Sequence, residues 1–596
     1  MIATKLEIRF KELSDILIKE LNDDGFWSGH LSSSALGVAV AVAALHFHDP
    51  VENQSEIQNG LSWLVENINA DGSYGDTTES PGNISTSLLV YAAVNLYAPE
   101  DDRIHALRER IANWLQANKV DIKSGDVAGT ILAHYKSDYT FSVPILTMCA
   151  LCGIPEKDGF KKIPQLPFEL ALMPQKFYRF LNLGVVSYAV PALIAVGIVI
   201  FKKKKSGKIA RWVRSGAERK ALKILQKTMP GSGGFLEAVP LTAFVALSLI
   251  HAGYGDMEVV KKGVEFLKRT QREDGGWPID VDLSTWVTTL SIKALGGRID
   301  NVLNKEQQAV LANHLFSVQN KIVHPFNGTS PGGWGWTSYS GSVPDCDDTP
   351  GAMLALLRFI EPEKVKDEVL AGTHWLLQLQ NSDGGFPTFS KGWGKLPFDQ
   401  SCADLTGHCL LALATVAETL KNELPGEQKK LLRAIKKAVA YLESHQKVDG
   451  SWFPLWFGNQ GVKNHENPVY GTARVLNYLK DALSLFQEGA IYRQLQSMIG
   501  KGENYLLDVQ NQDGSWGGAK NIPGTMEETA LAVAALANPQ FSDVCDKGFK
   551  WLDKTYETKG LKAAPIGLYF ASLWYDEKMY PLTAYLEAVV KHLDIK

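Results

Sequence analysis

Helical hydrophobic periodicity, interrupted repeatedly by one short turn, organises most of the chain. An amphipathic pattern runs into Gln-x-x-Asp-Gly-x-aromatic four times, at residues 271–277, 380–386, 446–452 and 510–516. Asp-Gly favours a turn that stops a helix. The Gln amide can satisfy free backbone groups at the helix end, while the aromatic ring packs over them. The repeats therefore predict paired helices that form a scaffold rather than a catalytic site.

Weaker copies of this turn extend the pattern along the chain. They occur at residues 24–27, 71–74 and 332–334. Further apolar segments with helical spacing separate the repeats, at residues 242–251, 350–360, 406–416 and 529–537. No segment indicates an extended sheet. The pattern predicts an all-α protein in which paired helices stack into two α/α barrels of the α6-α6 type.

One apolar segment departs from the repeats. Residues 183–201 carry no charge over 19 positions, and Lys202 to Lys205 follow at once. At about 1.5 Å per residue, a helix of this length could just cross a hydrocarbon core of about 30 Å. Pro191 would kink such a helix. Repeats on both sides disfavour a crossing, so we expect monotopic membrane insertion, with a transmembrane span or a buried core helix as alternatives.

The charge distribution sharpens the interpretation of this segment. The formal net charge of the 596-residue chain is −4, but residues 202–223 carry +9 and the remainder −13. A nucleic-acid-binding protein should show a general basic excess, which this chain lacks. A polybasic cluster beside an apolar segment favours an anionic membrane surface.

Cysteine usage and the N-terminus suggest the cellular compartment. Six cysteines are too few for a disulfide framework, and the single Cys149-x-x-Cys152 pair lacks the further ligands of a zinc site. The first ten residues carry charges where a signal peptide needs an apolar core. We therefore expect an intracellular protein.

One acidic segment carries residues suited to chemistry. Asp345, Asp347 and Asp348 place three carboxyl groups within four residues, just before a predicted helix start at Thr349. If they are buried together they cannot all ionise cheaply, so at least one should keep its proton near neutral pH. The same spacing suits an acidic helix cap or a magnesium site for a diphosphate. The residues alone leave these three interpretations open.

The motif resembles that of the squalene–hopene cyclases and related class II terpene cyclases. The resemblance rests on Asp-x-Asp-Asp-Thr at 345–349, after a Gly-Gly-aromatic segment and among Gln…Trp repeats, and it extends over essentially the whole chain. It implies that Asp347 is the acid that protonates a terminal alkene. Asp345 and Asp348 would support that acid.

The resemblance also implies roles for two residues outside the motif. His408, in Asp404-Leu-Thr-Gly-His408, would orient and charge the acid, and Tyr470, in Tyr470-Gly-Thr, would assist its reprotonation through water. A cationic histidine that donates to Asp347 would lower the affinity of that carboxylate for its proton. Ordinary core packing is the alternative for both side chains.

Three tryptophans match the family's aromatic positions. The resemblance places Trp286, Trp336 and Trp456 along the substrate cavity, with Asp404 among the substrate-binding residues. Aromatic faces attract cations by about 0.5–2 kcal/mol and offer no strong base that would end a cationic cascade early. Packing within the repeats is the alternative for each ring.

The chain also departs from the family pattern. Val287-Thr288 follow Trp286 where Asp-Thr is usual, and Val186 stands where an aromatic residue is expected. Residues 566–575 replace a Phe-rich stretch. These departures lie where the folding of the substrate and the end of the cascade are decided. The resemblance therefore supports alkene protonation better than it supports any particular substrate or product. The Cys346 spacer is shared with the sporulenol-type cyclases and points towards that branch.

We therefore expect an inserted N-terminal barrel at residues 21–281, with a membrane-binding segment at about 165–223. A C-terminal catalytic barrel would comprise residues 1–20 and 282–596. The acid would lie at their junction and act without metal or cofactor on a linear C30-class isoprenoid, squalene or squalene-like, entering from the membrane. The expected location is the cytoplasmic side of a membrane, with monotopic attachment, and a homodimer is a further expectation.

Three other functions stay open from the sequence. A class II cyclase acting on a prenyl diphosphate or a meroterpenoid would keep Asp347 but need cationic groups or Mg²⁺ for the head group. A protein-prenyltransferase β-subunit shares the barrel, but its Asp, Cys and His zinc ligands cannot be assembled here. A non-catalytic, membrane-attached isoprenoid-binding protein would not need Asp347 and His408.

Overall fold

Helices make up nearly all of the regular structure. The computed structural model describes residues 2–97, 101–122, 127–135, 139–155, 159–174, 186–205, 207–392, 394, 398–421, 426–568 and 573–595. The first half of the chain contains α1 (Ile2–Lys19), α2 (Ala35–His48), α3 (Gln54–Glu66), α4 (Ile84–Asn95), α5 (Asp102–Ala117), α6 (Val127–Tyr135), α7 (Tyr139–Leu151), α8 (Val186–Lys203), α9 (Lys208–Thr228), α10 (Val239–His251) and α11 (Glu258–Thr270). The second half contains α12 (Ser284–Leu295), α13 (Lys305–Val318), α14 (Asp348–Phe359), α15 (Lys366–Leu379), α16 (Ala403–Thr419), α17 (Gln428–His445), α18 (Pro468–Leu483), α19 (Ala490–Asp508), α20 (Met526–Ala535), α21 (Ser542–Lys559) and α22 (Met579–Asp594).

Six helices of the second half close a ring. Helix α12 packs on α14, and contacts continue through α16, α18, α20 and α22 back to α12. Helices α13, α15, α17, α19 and α21 pack outside this ring, and α1, from the start of the chain, packs on α22 as the sixth outer helix. The predicted α/α barrel with six inner and six outer helices is confirmed for this half.

The first half forms a second ring. In the described residues its inner helices are α2, α4, α7, α8 and α10, which contact one another in that order and close from α10 to α2. Helices α3, α5, α6, α9 and α11 pack outside them. The described part of this barrel therefore has five helix pairs, where six were predicted.

Helix α8 is one of these inner helices, although its sequence predicted a segment that enters the membrane. Its side chains from Ile194 to Ile200 are buried in the barrel core. Protein surrounds this part of the helix, which was the buried-core alternative for the segment and explains its long run without charge. Residues 183–185, where the predicted segment begins, lie outside the described residues. Among the helices that the structure describes, none has the length and hydropathy needed to cross a membrane.

The recurring turn ties each outer helix to its neighbours through the indole N–H group. Each tryptophan of the turn donates to a leucine carbonyl among the last four residues of the preceding helix, where carbonyls lack partners within the helix. The pairs are Trp27–Leu17, Trp277–Leu267, Trp334–Leu315, Trp452–Leu442 and Trp516–Leu506, at 2.7–2.9 Å. We expected the glutamine amide to satisfy the backbone groups at the helix end and the aromatic ring only to pack over them. In the structure it is the indole N–H that donates to the helix-end carbonyl.

The glutamine of each turn links neighbouring repeats instead. The Nε2 group of Gln446 donates to the carbonyl of Gly450 at 2.9 Å and to that of Met498, in the next outer helix, at 3.0 Å. Gly450 has φ +92°, and a Cβ atom there would lie 2.2 Å from the Lys501 carbonyl oxygen. Close approach of two repeats thus requires glycine at this turn.

The buried hydrophobic side chains form two large clusters. One runs from Ala35 to Trp277 and includes Phe326 and Val343. The other joins residues 6–27 to residues 286–593. The predicted domain boundaries at 20/21 and 281/282 run close to this division.

One small sheet was not predicted. Strand β1 (Ile566–Leu568) pairs antiparallel with β2 (Leu573–Tyr575), with Gly567 opposite Trp574. The sequence indicated no extended sheet, which agrees with this one short hairpin in the described residues; strands of three residues are too short to show a period of two. The backbone N–H of Trp574 donates to Asp76 at 2.9 Å, which connects this hairpin to the first half of the chain.

Replacement of Trp452 by phenylalanine tests the turn. The variant Trp452→Phe leaves the Leu442 carbonyl with only the Gln446 backbone N–H as donor and opens a cavity where the indole packed, so the free energy of unfolding should fall by about 1–3 kcal/mol in denaturant titrations. The same change at Trp212, which is 79% exposed, should alter it by less than about 0.5 kcal/mol. Equal effects at the two positions would contradict the assigned role of the indole N–H.

Candidate active site

The acidic motif forms the entry to helix α14. The backbone N–H of Asp345 donates to the Trp334 carbonyl at 3.0 Å, so a repeat turn fixes the motif in place. The Asp345 carboxylate accepts the backbone N–H groups of Asp347 at 2.9 Å and Asp348 at 2.8 Å. Asp345 is therefore the helix cap that was one interpretation of the sequence. The Asp347 and Asp348 carboxyl groups do not cap this helix.

Burial sets the protonation of these carboxyl groups. Desolvation and the charge of Asp347 raise the pKa of Asp345, although its backbone hydrogen bonds oppose the rise. Desolvation, followed by the charges of Asp345 and Asp347, raises the pKa of Asp348 well above its usual range. Asp348 is therefore protonated and donates to Asp345. The raised pKa values of Asp345 and Asp348 agree with the expectation that at least one of the three carboxyl groups keeps its proton near neutral pH.

Asp347 differs from its two neighbours in exposure. Its side chain is 19% accessible, whereas Asp345 and Asp348 are buried. Burial raises the pKa of Asp347 to about 7, and the positive charge of Arg474 opposes the rise. Near neutral pH a substantial fraction of Asp347 therefore carries a proton, on the least buried of the three carboxyl groups.

His408 lies beside Asp347. Its Nδ1 atom is 4.0 Å from the nearer Asp347 carboxylate oxygen, which is longer than a hydrogen bond. Burial, followed by the charges of Arg474 and Lys293, lowers the pKa of His408 well below its ordinary value. Burial therefore favours the neutral imidazole, and the cationic histidine that the resemblance implies stays a prediction. A buried cation that already stands nearby makes a second one costly.

Arg474 was not singled out from the sequence. Its guanidinium lies 5.4 Å from the centre of the Trp286 ring, 5.9 Å from that of Tyr470 and 5.2 Å from that of Tyr478. Arg474 follows Tyr470 by four residues, and residues four apart share a helix face. A helical interpretation of the Tyr470-Gly-Thr segment would have placed the two together.

The two remaining predicted residues of this group lie close by. Asp404 starts helix α16 and accepts the Cys402 thiol at 2.5 Å. Burial and then the charge of Asp347 raise the pKa of Asp404 to about 6. The Tyr470 ring packs against Phe457 at 4.9 Å, and burial raises the pKa of its hydroxyl well above the ordinary value.

A wall of aromatic rings lies beside the acidic motif. The Trp456 indole donates to the Thr388 hydroxyl, and the Thr388 carbonyl accepts the backbone N–H of Cys346. Trp336 and Trp456, both predicted, lie 5.9 Å and 5.7 Å from the Phe389 ring, between centres. Phe398 packs on Trp456 at 5.5 Å, and Tyr188 of helix α8 stacks on Phe398 at 5.5 Å. Trp286, the third predicted tryptophan, belongs instead to the group around His408, 6.2 Å from that ring.

Three members of this wall were not predicted. Phe389 follows the aromatic residue of its repeat turn by three positions, whereas Trp336 and Trp456 follow theirs by two and four. An aromatic residue two to four positions after the turn is the signal that could have revealed it. Phe398 and Tyr188 carry no comparable signal. Tyr188 lies two residues after Val186, at which the family's aromatic residue was expected.

The third interpretation of the motif was a metal site. Within the described ranges, no three His, Cys, Asp or Glu side chains are grouped so that they could hold a metal ion. Asp345 caps a helix and Asp348 is hydrogen-bonded to it, so neither offers a free carboxylate.

Family profiles agree with this arrangement. The profile "Squalene-hopene cyclase N-terminal domain" matches residues 10–116, and "Squalene-hopene cyclase C-terminal domain" matches residues 283–566. Together the two matches cover about two thirds of the chain. The second match contains the acidic motif, His408 and Tyr470.

Individual relatives extend the similarity to most of the chain. The enfumafungin synthase of Hormonema carpetanum is 25% identical over 89% of this chain and 44% of its own length. The squalene–hopene cyclase of Bradyrhizobium diazoefficiens is 23% identical over 90% of this chain and 87% of its own. The chain thus spans less than half of the first relative. The solved ent-copalyl diphosphate synthase from Streptomyces platensis shares the fold, with a TM-score of 0.59 and 17% identity over 99% of both chains.

The raised pKa of Asp347 predicts a stability change with pH. The folded-state pKa of about 7 exceeds the unfolded value of about 3.9. The native state therefore holds the proton more tightly, and its free energy of unfolding falls as pH rises through this interval. Asp347→Asn removes this loss, so the variant should be more stable than wild type at pH 8, by at most about 4 kcal/mol.

Denaturant titrations between pH 4 and 8 would measure the difference. The advantage of Asp347→Asn should disappear near pH 4, and the exposed control Asp256→Asn should show no such trend. A variant less stable than wild type across the whole range would contradict a desolvated carboxyl group at position 347.

Proposed function

Because the chain belongs to the squalene–hopene cyclase family, we propose that it is a class II terpene cyclase. In this proposal Asp347 protonates the terminal alkene of a linear C30-class isoprenoid, squalene or squalene-like, and starts a cationic polycyclisation. Deprotonation or capture by water ends the cascade. The observation that carries the proposal is the Asp347 carboxyl group, accessible and partly protonated at neutral pH between two buried carboxyl groups.

Proton transfer requires only groups of this chain. The O–H bond of Asp347 breaks as a C–H bond forms with the alkene π electrons. The carboxylate keeps the O–H electron pair, and the positive charge remains on carbon. Burial lowers the polarity around the acid, so the charge of Arg474 acts on the resulting carboxylate more strongly than it would in water.

The ring wall suits the later steps. A cation near Trp336, Phe389 or Trp456 gains about 0.5–2 kcal/mol from each ring face that it meets. The rings carry no strong base that would remove a proton early. Tyr470, close to Arg474, is the proposed route by which water returns a proton to Asp347.

We further propose that the protein docks on an anionic membrane through helix α9 and the turn before residue 175. Ile209 and Trp212 are 81% and 79% exposed, and Leu170 is half exposed. Lys208 and Arg211 stand beside them on α9. Exposed apolar side chains among cations are typical of helices that lie in a membrane interface.

A groove supports entry of an apolar substrate from that surface. Its volume is about 380 Å³, and its lining includes Met173, Val190, Ile224 and Phe326. The Phe326 ring lies 6.0 Å from Tyr188, a member of the ring wall. The groove is thus lined in part by helix α9, which carries the exposed apolar residues, and by Phe326, which contacts the ring wall; this supports the proposed entry.

Turnover of linear polyprenes by Asp347→Asn tests the catalytic proposal. Squalene and longer or aryl-capped polyprenes are offered to wild type, Asp347→Asn and the control Asp256→Asn, and a prenyl diphosphate is offered with and without Mg²⁺. The wild type and the control should cyclise a neutral polyprene. Asp347→Asn should lose at least about 10²–10⁴-fold in kcat, the usual contribution of a general acid. Cyclisation by Asp347→Asn at the wild-type rate would contradict the proposal. Turnover of the prenyl diphosphate but of no neutral polyprene would instead favour a class II cyclase that acts on a prenyl diphosphate.

Vesicle binding tests the membrane proposal. Wild-type protein should co-sediment with vesicles that contain phosphatidylserine and less with neutral vesicles, because each cation near an anionic surface contributes about 1 kcal/mol. Ile209→Ser together with Trp212→Ser should weaken binding, whereas Val448→Ser, at an equally exposed apolar position elsewhere, should not. Binding that depends on neither α9 nor the anionic lipid would refute the assigned surface.

A further inference from the structure

A buried hydroxyl group belongs to the ring wall and lies close to the groove. It is that of Tyr188, on helix α8, which is 6% exposed. The Nδ2 group of Asn327, also 6% exposed, donates to the Tyr188 hydroxyl oxygen at 2.7 Å. A polar pair is therefore built into a wall that otherwise presents ring faces.

The backbone fixes the orientation of the Asn327 amide. Its Oδ1 atom accepts the backbone N–H of Thr329 at 3.0 Å, and only the oxygen of an amide group can accept. The Nδ2 group must therefore face Tyr188, so the Tyr188 oxygen is the acceptor in their hydrogen bond. That bond does not use the proton of the phenol itself, which stays available for donation.

Within the described part of the chain, this proton has no acceptor. Aromatic rings surround the Tyr188 ring instead: Phe398 stacks on it at 5.5 Å, and Phe389 and Phe326 lie at 5.2 Å and 6.0 Å between centres. These rings hold the phenol in one orientation but offer no oxygen or nitrogen. A buried donor without an acceptor is unfavourable, so an acceptor atom supplied by a ligand would stabilise the site.

Tyr188 lies between the groove and the rings nearest the acidic motif. Phe326 contacts Tyr188 and also lines the groove. Phe398 contacts Tyr188 and also packs against Trp456 of the ring wall. A chain that enters through the groove and reaches Asp347 would therefore pass the Tyr188 hydroxyl group.

The electrostatics around Tyr188 favour a neutral acceptor. Burial and, to a smaller extent, the charge of Asp345 raise the pKa of the Tyr188 hydroxyl, although the hydrogen bond from Asn327 opposes the rise. The phenol therefore keeps its proton and remains a donor. The negative charge of Asp345 would repel a diphosphate or a carboxylate placed against Tyr188. An alcohol or ether oxygen meets no such repulsion.

We propose that Tyr188, held in place by Asn327, determines specificity by donating a hydrogen bond to a neutral oxygen atom of the substrate. The inference rests on the proposed function and narrows its substrate class to a linear C30-class isoprenoid with an alcohol or ether oxygen at one end. The opposite end remains the alkene that Asp347 protonates.

Three substrates with the same C30 chain test this specificity: a polyprenol, its methyl ether and the corresponding hydrocarbon. Wild type should prefer both oxygen-bearing chains over the hydrocarbon by about 10- to 100-fold in kcat/KM, because the hydrocarbon leaves a buried donor without an acceptor. The alcohol and the ether should differ by less than about threefold, because both can accept the hydrogen bond.

Two variants remove the donor in different ways. Tyr188→Phe deletes the hydroxyl group and keeps the ring, whereas Asn327→Asp introduces a carboxylate oxygen that would itself accept the Tyr188 proton. In both variants the preference for the oxygen-bearing chains should fall to less than about threefold. Tyr139→Phe, at a tyrosine that is 48% exposed, should keep the wild-type preference. Tyr188→Phe adds no charge, so it carries the test if Asn327→Asp does not fold.

Binding without turnover separates this inference from the proposed function. In Asp347→Asn, the dissociation constants of the radiolabelled methyl ether and hydrocarbon should differ by the same factor of about 10 to 100 in equilibrium partition from detergent micelles. The difference should disappear when Tyr188→Phe is added. Comparison of these two proteins cancels any difference in how the ligands dissolve in detergent.

The outcomes distinguish the two claims. An equal preference in wild type and Tyr188→Phe, or a wild-type preference for the hydrocarbon, would overturn the role of Tyr188, and a water molecule would then be its acceptor. Cyclisation of the chains in that case would leave the proposed function standing. A protein that binds the ether through Tyr188 but cyclises none of the three chains would reject the proposed function and keep the binding site.

Discussion

The Asp347 carboxyl group directly follows Cys346 of one hydrophobic cluster and lies four residues after Val343 of the other, and its removal from water governs the properties of the site. A carboxylic acid of ordinary pKa carries almost no proton at neutral pH, whereas desolvation raises the pKa of Asp347 to about 7. Such an acid could protonate an alkene only if its carboxylate were then stabilised. The positive charge of Arg474 opposes the rise in the pKa of Asp347, and Asp345 and Asp348 are hydrogen-bonded to each other. The accessible carboxyl group, Asp347, and the opposing positive charge, Arg474, thus come from the start of α14 and from α18.

The scaffold holds this arrangement through its repeats. The same turn that links Trp334 to Leu315 also holds the backbone of Asp345, so the acidic motif is fixed by a structural contact repeated along the chain. Helix α8 connects the first barrel to the site, because Tyr188 reaches the ring wall while Ile194 to Ile200 fill the core. Exposed apolar residues occur on the neighbouring helix α9 instead. The entry that we propose for the substrate therefore lies beside helix α9, apart from the core that helix α8 fills.

The sequence predicted features that depend on local pattern and not those that depend on three-dimensional neighbours. The Gln…Trp turns and the helix cap in the acidic motif follow from residues close in the chain, and the structure contains them. The uncharged run in α8 looks the same whether lipid or protein surrounds it, so hydropathy alone favoured a membrane. The charge of His408 depends on Arg474 and Lys293, which lie on other helices. The hairpin at residues 566–575 was too short to be recognised.

The origin of one hydrogen atom in the product tests the central claim most directly. Cyclisation of a linear polyprene by the wild-type protein in D₂O should place one deuterium on the carbon of the former terminal alkene, because Asp347 exchanges its proton with solvent before each turnover. Mass spectrometry and NMR of the product would count and locate that label. A cyclic product with no deuterium at this carbon would contradict an initiating proton carried by Asp347.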